Sequence, residues 1–169
     1  SRAQGSDSAA ASALLFGKSG AKLVLVGRRP DALHKVKDEL EQQGATAIVI
    51  PQDITLPDAA ERILQTTIDR FSRIDNLVNN AGVPGEGVRL DQVSDELWEE
   101  IVSTNLTAVF RMLRATLPIF VRQQHGVIVN VSSVAALKAL TNVAAYSATK
   151  AGLIALTRSV ASDYASLGV

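Results

Sequence analysis

The sequence predicts an α/β fold, a doubly wound parallel sheet, and three observations predict it. Short runs of Val, Leu and Ile alternate with longer stretches of helical period from Ala21 onward. These runs read as strands buried on both faces, as parallel sheets require. Polar and glycine residues gather just after the strand runs: Gly27 and Arg28, Asp53, Asn79 to Gly82, and Ser132 with Ser133. In such sheets the ligand lies outside the carboxyl ends of the strands, where the strand order reverses, so these residues belong to one rim.

Each element has its own reason. Lys22 to Val26 is a β-branched and leucine run that ends at Gly27, and Arg28, Arg29 and Pro30 turn into a helix with Pro30 suited to its first position. Leu33, Val36 and Leu40 share one face of that helix, and Gly44 supplies its stop. A second strand, Ala47 to Ile50, closes at Pro51, Gln52 and Asp53. Thr55 to Asp58 match a capping-box variant opening a helix that buries Ala60, Ile63, Leu64, Ile68 and Phe71. After Ile74 and Asp75 come the strand NLVNN and a loop with Gly82, Pro84, Gly85 and Gly87. Ser94 caps a long helix with Leu97, Ile101, Leu106, Val109 and Leu113 inward. Gly126 precedes the strand VIVNV, and a polar, alanine-rich loop leads to a last helix from about Ala145.

Composition bounds the function. A chain of 169 residues with 47% hydrophobic and 20% charged residues is expected to form a single domain spanning 1–169. Seventeen basic residues balance 17 acidic ones, which gives no support to a nucleic-acid or anionic-membrane partner. Cysteine is absent, so disulfides and thiolate chemistry are excluded, and two distant histidines, His34 and His125, argue against a metal site. No apolar run approaches the roughly 20 residues of a membrane span, and no secretory signal is evident, so a cytoplasmic location is expected, an organelle reached by a removed presequence being the alternative.

The candidate chemistry lies in AAYSATKAG. Tyr146 and Lys150 are four apart, on one face of a helix. A tyrosine hydroxyl is ordinarily a poor acid or base at neutral pH, but a nearby ammonium favours the phenolate. The pair could give a proton to an alkoxide or take one from an alcohol. A solvated surface pair is the plainer alternative. Ser133, at the end of a strand, could hold a carbonyl oxygen while Tyr146 moves the proton, the plainer reading being a turn or cap residue.

Asn79 to Gly82 (NNAG), Asn105 in STNLTAVF, Ser133 in NVSSVAAL and YSATK at 146–150 together resemble the short-chain dehydrogenase/reductase family, in its order and spacing, from about Ala11 to the last residue. The closest flavour is that of the 3-oxoacyl carrier-protein reductases. The resemblance implies a Rossmann-like oxidoreductase that interconverts a ketone and a secondary alcohol by hydride transfer. Tyr146 would be the general acid/base, and Lys150 would assist it and bond the nicotinamide ribose. Ser133 would orient the substrate carbonyl, and Asn105 would hold a water linking Lys150 to solvent. Asn80, Ala81 and Gly82 would let the cofactor approach the backbone. Asp53 matches the position that bonds the adenine amino group. Arg28, where NAD-preferring members carry an acid, could clasp the 2′-phosphate of NADP with Arg29 assisting, so NADP is expected ahead of NAD. Leu137 to Val143 would line the pocket for a partly hydrophobic small-molecule carbonyl or alcohol substrate. Trp98 reads as packing, and both histidines as solvated. A homodimer or homotetramer is implied, through the helices bearing Asn105 and Tyr146.

Two departures stand against the family pattern. SRAQGSDSA falls over the glycine-rich TGxxxGxG turn, with Asp7 and Ala9 where glycines belong, and the strand before that turn is missing. The chain stops after the Lys150 helix, without the family's later strands. An incomplete stretch of a larger reductase is expected; the alternative is a shortened, non-catalytic relative acting in binding or assembly.

Overall fold

A computed structural model describes residues 2–85 and 87–169, and they divide into two compact units, Ser1–Arg73 and Ile74–Val169. In the first unit α1 (Arg2–Lys18) leads into β1 (Leu23–Gly27), α2 (Pro30–Gln42), β2 (Ala47–Pro51) and α3 (Ala59–Phe71). The stretch set against a glycine-rich turn is thus helical back to Arg2, while Ser1 lies outside the described residues. Its run of alanines, the strongest helix former, accounts for this.

β1 and β2 pair in parallel, with Leu23 opposite Ala47 and Gly27 opposite Pro51. Parallel neighbours need a crossover, which α2 provides. The core of this unit joins Ala13, Leu40 and Ala47 to Leu23, Leu25 and Val36. The capping box expected at Thr55 does not form. Thr55 instead donates from its amide and its hydroxyl to Asp53 Oδ1, at 2.9 and 2.7 Å, and the helix starts only at Ala59. An aspartate that bonds the backbone two residues on competes with helix initiation.

The second unit opens with β3 (Asn76–Asn79), then α4 (Asp95–Val102), a π turn over Ser103–Thr107, α5 (Ala108–Gln123), β4 (Val127–Asn130) and α6 (Ala144–Tyr164). β3 and β4 pair in parallel, Leu77 opposite Ile128 and Asn79 opposite Asn130. Ser94 caps α4 as expected, its hydroxyl accepting from the Leu97 amide at 3.2 Å. Val109, Leu113 and Leu117 of α5 and Leu153 of α6 form the core against Leu77 and Ile128. On the alternate positions of these strands Val78, Val127 and Val129 are exposed. Where the sequence predicts one uninterrupted helix from Ser94, the π turn intervenes, with the Ala108 amide reaching back to the Ser103 carbonyl. Within this turn Asn105 is fully buried, on the face of Ile101 and Val109, and Leu106 is half-buried. Among the described residues no helix is long and apolar enough to cross a membrane.

Candidate active site

In the second unit four segments meet around Asn105: the loop after β3, the π turn, the end of β4 and the first turns of α6. Inside a helix an asparagine is a poor helix former and competes for backbone hydrogen bonds. Spaced four residues from Ile101 and from Val109 it faces inward, where its capacity is matched by fixed partners. Asn105 Oδ1 accepts from the Val83 amide at 2.8 Å, and Nδ2 donates to the Val83 carbonyl at 2.9 Å and to Thr149 Oγ1 at 3.2 Å. Gly82 lies against the same group: a Cβ there would stand 3.3 Å from Asn105 Oδ1 and 3.5 Å from Lys150 Nζ.

Lys150 is 4% exposed. Its Nζ donates to the Val131 carbonyl at 2.7 Å and lies 5.8 Å from the centroid of the Tyr146 ring. Burial disfavours the charged ammonium and holds its pKa below the ordinary lysine value. Ser132 completes a reciprocal clamp between β4 and α6, its hydroxyl donating to the Lys150 carbonyl at 2.9 Å. Ser133 sits one residue on, in extended backbone, and its Oγ accepts from the Ala135 amide at 3.2 Å. The cap reading of Ser133 is therefore realised, and because the oxygen accepts, the hydroxyl proton is the part left to donate. Deeper in the sheet Asn79 Nδ2 donates to Asn130 Oδ1 at 2.8 Å, and Asn130 Nδ2 to Thr157 Oγ1 on α6 at 2.9 Å.

Asn105, Tyr146, Lys150 and Gly82 are thus brought together, with Ser133 capping the short turn Val134–Ala136 that packs on α6. Asn80 is half-buried and Ala81 exposed beside them in sequence. Ser132 stands on the strand-end rim that the sequence marks, without a role of its own, and Thr149 is marked by nothing beyond its place in YSATK. Their spacing places them beside Tyr146 and Lys150, but nothing local reveals that their hydroxyls tie separate elements together.

Two expectations change. Residues 135–140 line a groove with Ala144, Ser147, Ala148 and Ala151. At 3.6 residues per turn those α6 positions face away from Tyr146 and Lys150, so this apolar loop does not open onto the tyrosine through that groove. Trp98, read as packing, is 40% exposed. A short helix presents it outward while Leu97 and Ile101 join the core with Val83 and Ala145.

In the first unit Arg28 and Arg29 are exposed where β1 ends, and Asp53 follows the end of β2. The hydrogen bonds from Thr55, amide first and hydroxyl second, hold the Asp53 carboxyl below its ordinary range, and the Arg28 charge adds to this. A carboxylate and a guanidinium thus stand after adjacent parallel strands.

Comparison with known proteins gives one answer. The family model described as short chain dehydrogenase matches residues 8–169. A 3-oxoacyl-[acyl-carrier-protein] reductase of Synechocystis is 36% identical over 160 residues, covering 94% of this chain and 64% of that protein. A 3beta-hydroxysteroid dehydrogenase of Mediterraneibacter gnavus is 31% identical, covering 93% of this chain and 56% of its own length. Among solved structures, an NAD+-bound xylitol dehydrogenase superposes with a TM-score of 0.91 at 30% identity, over 94% of this chain and 61% of that one. A metagenomic short-chain oxidoreductase in complex with NADP gives 0.90 at 33% identity, over 94% and 72%. The chain therefore spans somewhat under two thirds of the curated relatives it matches.

Proposed function

The chain belongs to the short-chain dehydrogenase family, and from that premise we propose that it is an NADP-preferring oxidoreductase interconverting a ketone and a secondary alcohol, with Tyr146 as the general acid/base. The observation that carries this reading is the buried lysine. An ammonium kept 4% exposed against a backbone carbonyl, beside a tyrosine ring, costs free energy that packing alone does not require.

Each unit, taken by itself, carries residues that suit part of a nicotinamide cofactor. Gly82 leaves open a space that a Cβ would fill beside Asn105 and Lys150, and Arg28 with Asp53 offer the charges that suit a 2′-phosphate and an adenine amino group. Asn80 and Ala81 would hold the backbone approach, with Arg29 assisting Arg28. The bound nicotinamide would supply or accept the hydride. In the reducing direction the Ser133 hydroxyl, its oxygen occupied by the Ala135 amide, donates to the substrate carbonyl and orients it. Tyr146 gives its proton to that oxygen as the alkoxide forms, and the Lys150 ammonium favours the phenolate left behind. Asn105 steadies the loop and the helix between which these groups sit, and would hold a water linking Lys150 to solvent. Assembly as a homodimer or homotetramer through α5 and α6 belongs to the same reading, supported by the exposed Phe110 on α5.

Titration with NADPH and with NADH, followed by nicotinamide fluorescence, is expected to show tighter NADPH binding. Tyr146→Phe is expected to lower kcat for ketone reduction about a hundredfold or more while leaving thermal unfolding in place. Equal binding of the two cofactors would remove the NADP preference, and reduction that survives Tyr146→Phe would remove the acid/base role.

A further inference from the structure

We infer that Thr149 is a positioning residue: its buried hydroxyl ties the backbone of Tyr146 to Asn105 and so fixes the tyrosine's turn of α6 against the loop after β3. The inference rests on the role proposed for Tyr146. Thr149 is 2% exposed and its Oγ1 does two things at once. It donates to the Tyr146 carbonyl at 2.8 Å and accepts from Asn105 Nδ2 at 3.2 Å. Asn105 in turn holds both the amide and the carbonyl of Val83. One line of hydrogen bonds thus runs from the loop after β3 through the π turn to the residue that bears the phenol.

A threonine in a helix commonly donates to a carbonyl three or four residues back, and that alone would mean little. Thr66 and Thr67 do so to Arg62 and Ile63. Thr149 differs because its acceptor lone pair is also used, by a side chain from another element, in a place closed to water. Thr157, two turns further along α6, has the same double contact, with Leu153 behind it and Asn130 in front. It therefore serves as a control of identical chemistry that does not reach Tyr146.

The test reads Tyr146 directly and needs neither cofactor nor substrate. The chain has two tyrosines, Tyr146 and Tyr164, so a Tyr164→Phe background labelled with ring-13C tyrosine reports Tyr146 alone by NMR. Thr149→Val, which keeps the shape and removes the hydroxyl, is expected to shift or split that signal, and Thr149→Ser to leave it in place. Thr157→Val is expected not to move it. If Thr149→Val does not fold, Thr149→Ala against Thr149→Ser reads the same hydroxyl. An unmoved signal in the variants lacking the hydroxyl, an equal shift in Thr149→Ser, or an equal shift in Thr157→Val would each overturn the role. A wild-type chain that fails to bind NADPH would sink the proposed function and leave this result standing. Where reduction is measurable, loss of the hydroxyl is expected to lower kcat about tenfold to a hundredfold with KM little changed, since a misplacement of order 1 Å at a reacting group has that effect.

Discussion

The carboxyl ends of the two strand pairs hold their polar residues by different means. After β1 and β2, Asp53 is anchored by Thr55, two positions along the chain, and Arg28 stands exposed. After β3 and β4, Asn105 reaches Val83 across 22 residues and Thr149 across 44, while Lys150 reaches Val131 across 19 and is held back by Ser132 across 18. A turn closed on itself survives in solvent and leaves its charge available to a ligand. A network closed across distant elements exists only when those elements are packed, and it then fixes its members from several sides. The first arrangement leaves charge exposed, and the second fixes position.

Removing the centre of the second arrangement should produce the largest effect. Asn105→Leu leaves the buried Val83 amide and carbonyl without their partners, and each orphaned group costs about 1 to 3 kcal/mol. A loss of about 3 kcal/mol is expected in urea unfolding followed by circular dichroism, against less than about 1 kcal/mol for Asp53→Ala. Equal losses would abolish the contrast between the two regions.

Gly82→Ala should come next. The new Cβ meets Asn105 Oδ1 at 3.3 Å and Lys150 Nζ at 3.5 Å, so its neighbours must give by a few tenths of an ångström. A destabilisation of about 1 kcal/mol is expected, seen in the same unfolding experiment. A fully neutral substitution would mean that the space beside Lys150 is looser than the geometry states.

The smallest effects lie in the pH dependence. Asp53 has a depressed folded-state pKa, so its contribution is present above its unfolded value of 3.8 and is lost as pH falls through the folded one. Lys150 is also depressed, but as a base: between its folded pKa and the ordinary 10.5 the unfolded chain binds the extra proton, so stability rises with pH across that window. Unfolding measured against pH should show a weaker acid-side dependence in Asp53→Asn, the part due to the likewise depressed Glu96 remaining, and a weaker alkaline-side dependence in Lys150→Met. A Lys150→Met profile parallel to wild type at alkaline pH would show that the ammonium is better solvated than its burial indicates.

Legibility followed the same division. The parallel strands at KLVLV, AIVI, NLVN and VIVN were readable because a run of β-branched and aliphatic residues carries its own instruction, and Ser94 capped its helix as its type and place predict. The capping box at Thr55 was misread because the same hydroxyl had a nearer partner in Asp53. The inner face of the long helix from Ser94 is legible, with Ile101, Val109 and Leu113 buried and Leu97 packed beside them, whereas the π turn that interrupts it leaves no mark on composition. Tyr146, Lys150 and Ser133 stand out by type and place, whereas Asn105 stands out only through the resemblance to the short-chain dehydrogenase/reductase family. The ties made by Thr149 and by the rim residue Ser132 are not legible, because a hydroxyl in a helix or at a strand end fits many local roles.

By itself the sequence determined the alternation of strands and helices, the polar residues that follow each strand, and the face shared by Tyr146 and Lys150, all of which follow from patterns of a few residues. Only the tertiary structure decided that Asn105 is buried with its side chain committed to Val83 and Thr149, that Lys150 is enclosed against Val131, and that the apolar groove beside α6 faces away from the tyrosine. Those outcomes depend on which distant groups arrive at hydrogen-bond distance once water is excluded, and a linear pattern carries no term for that.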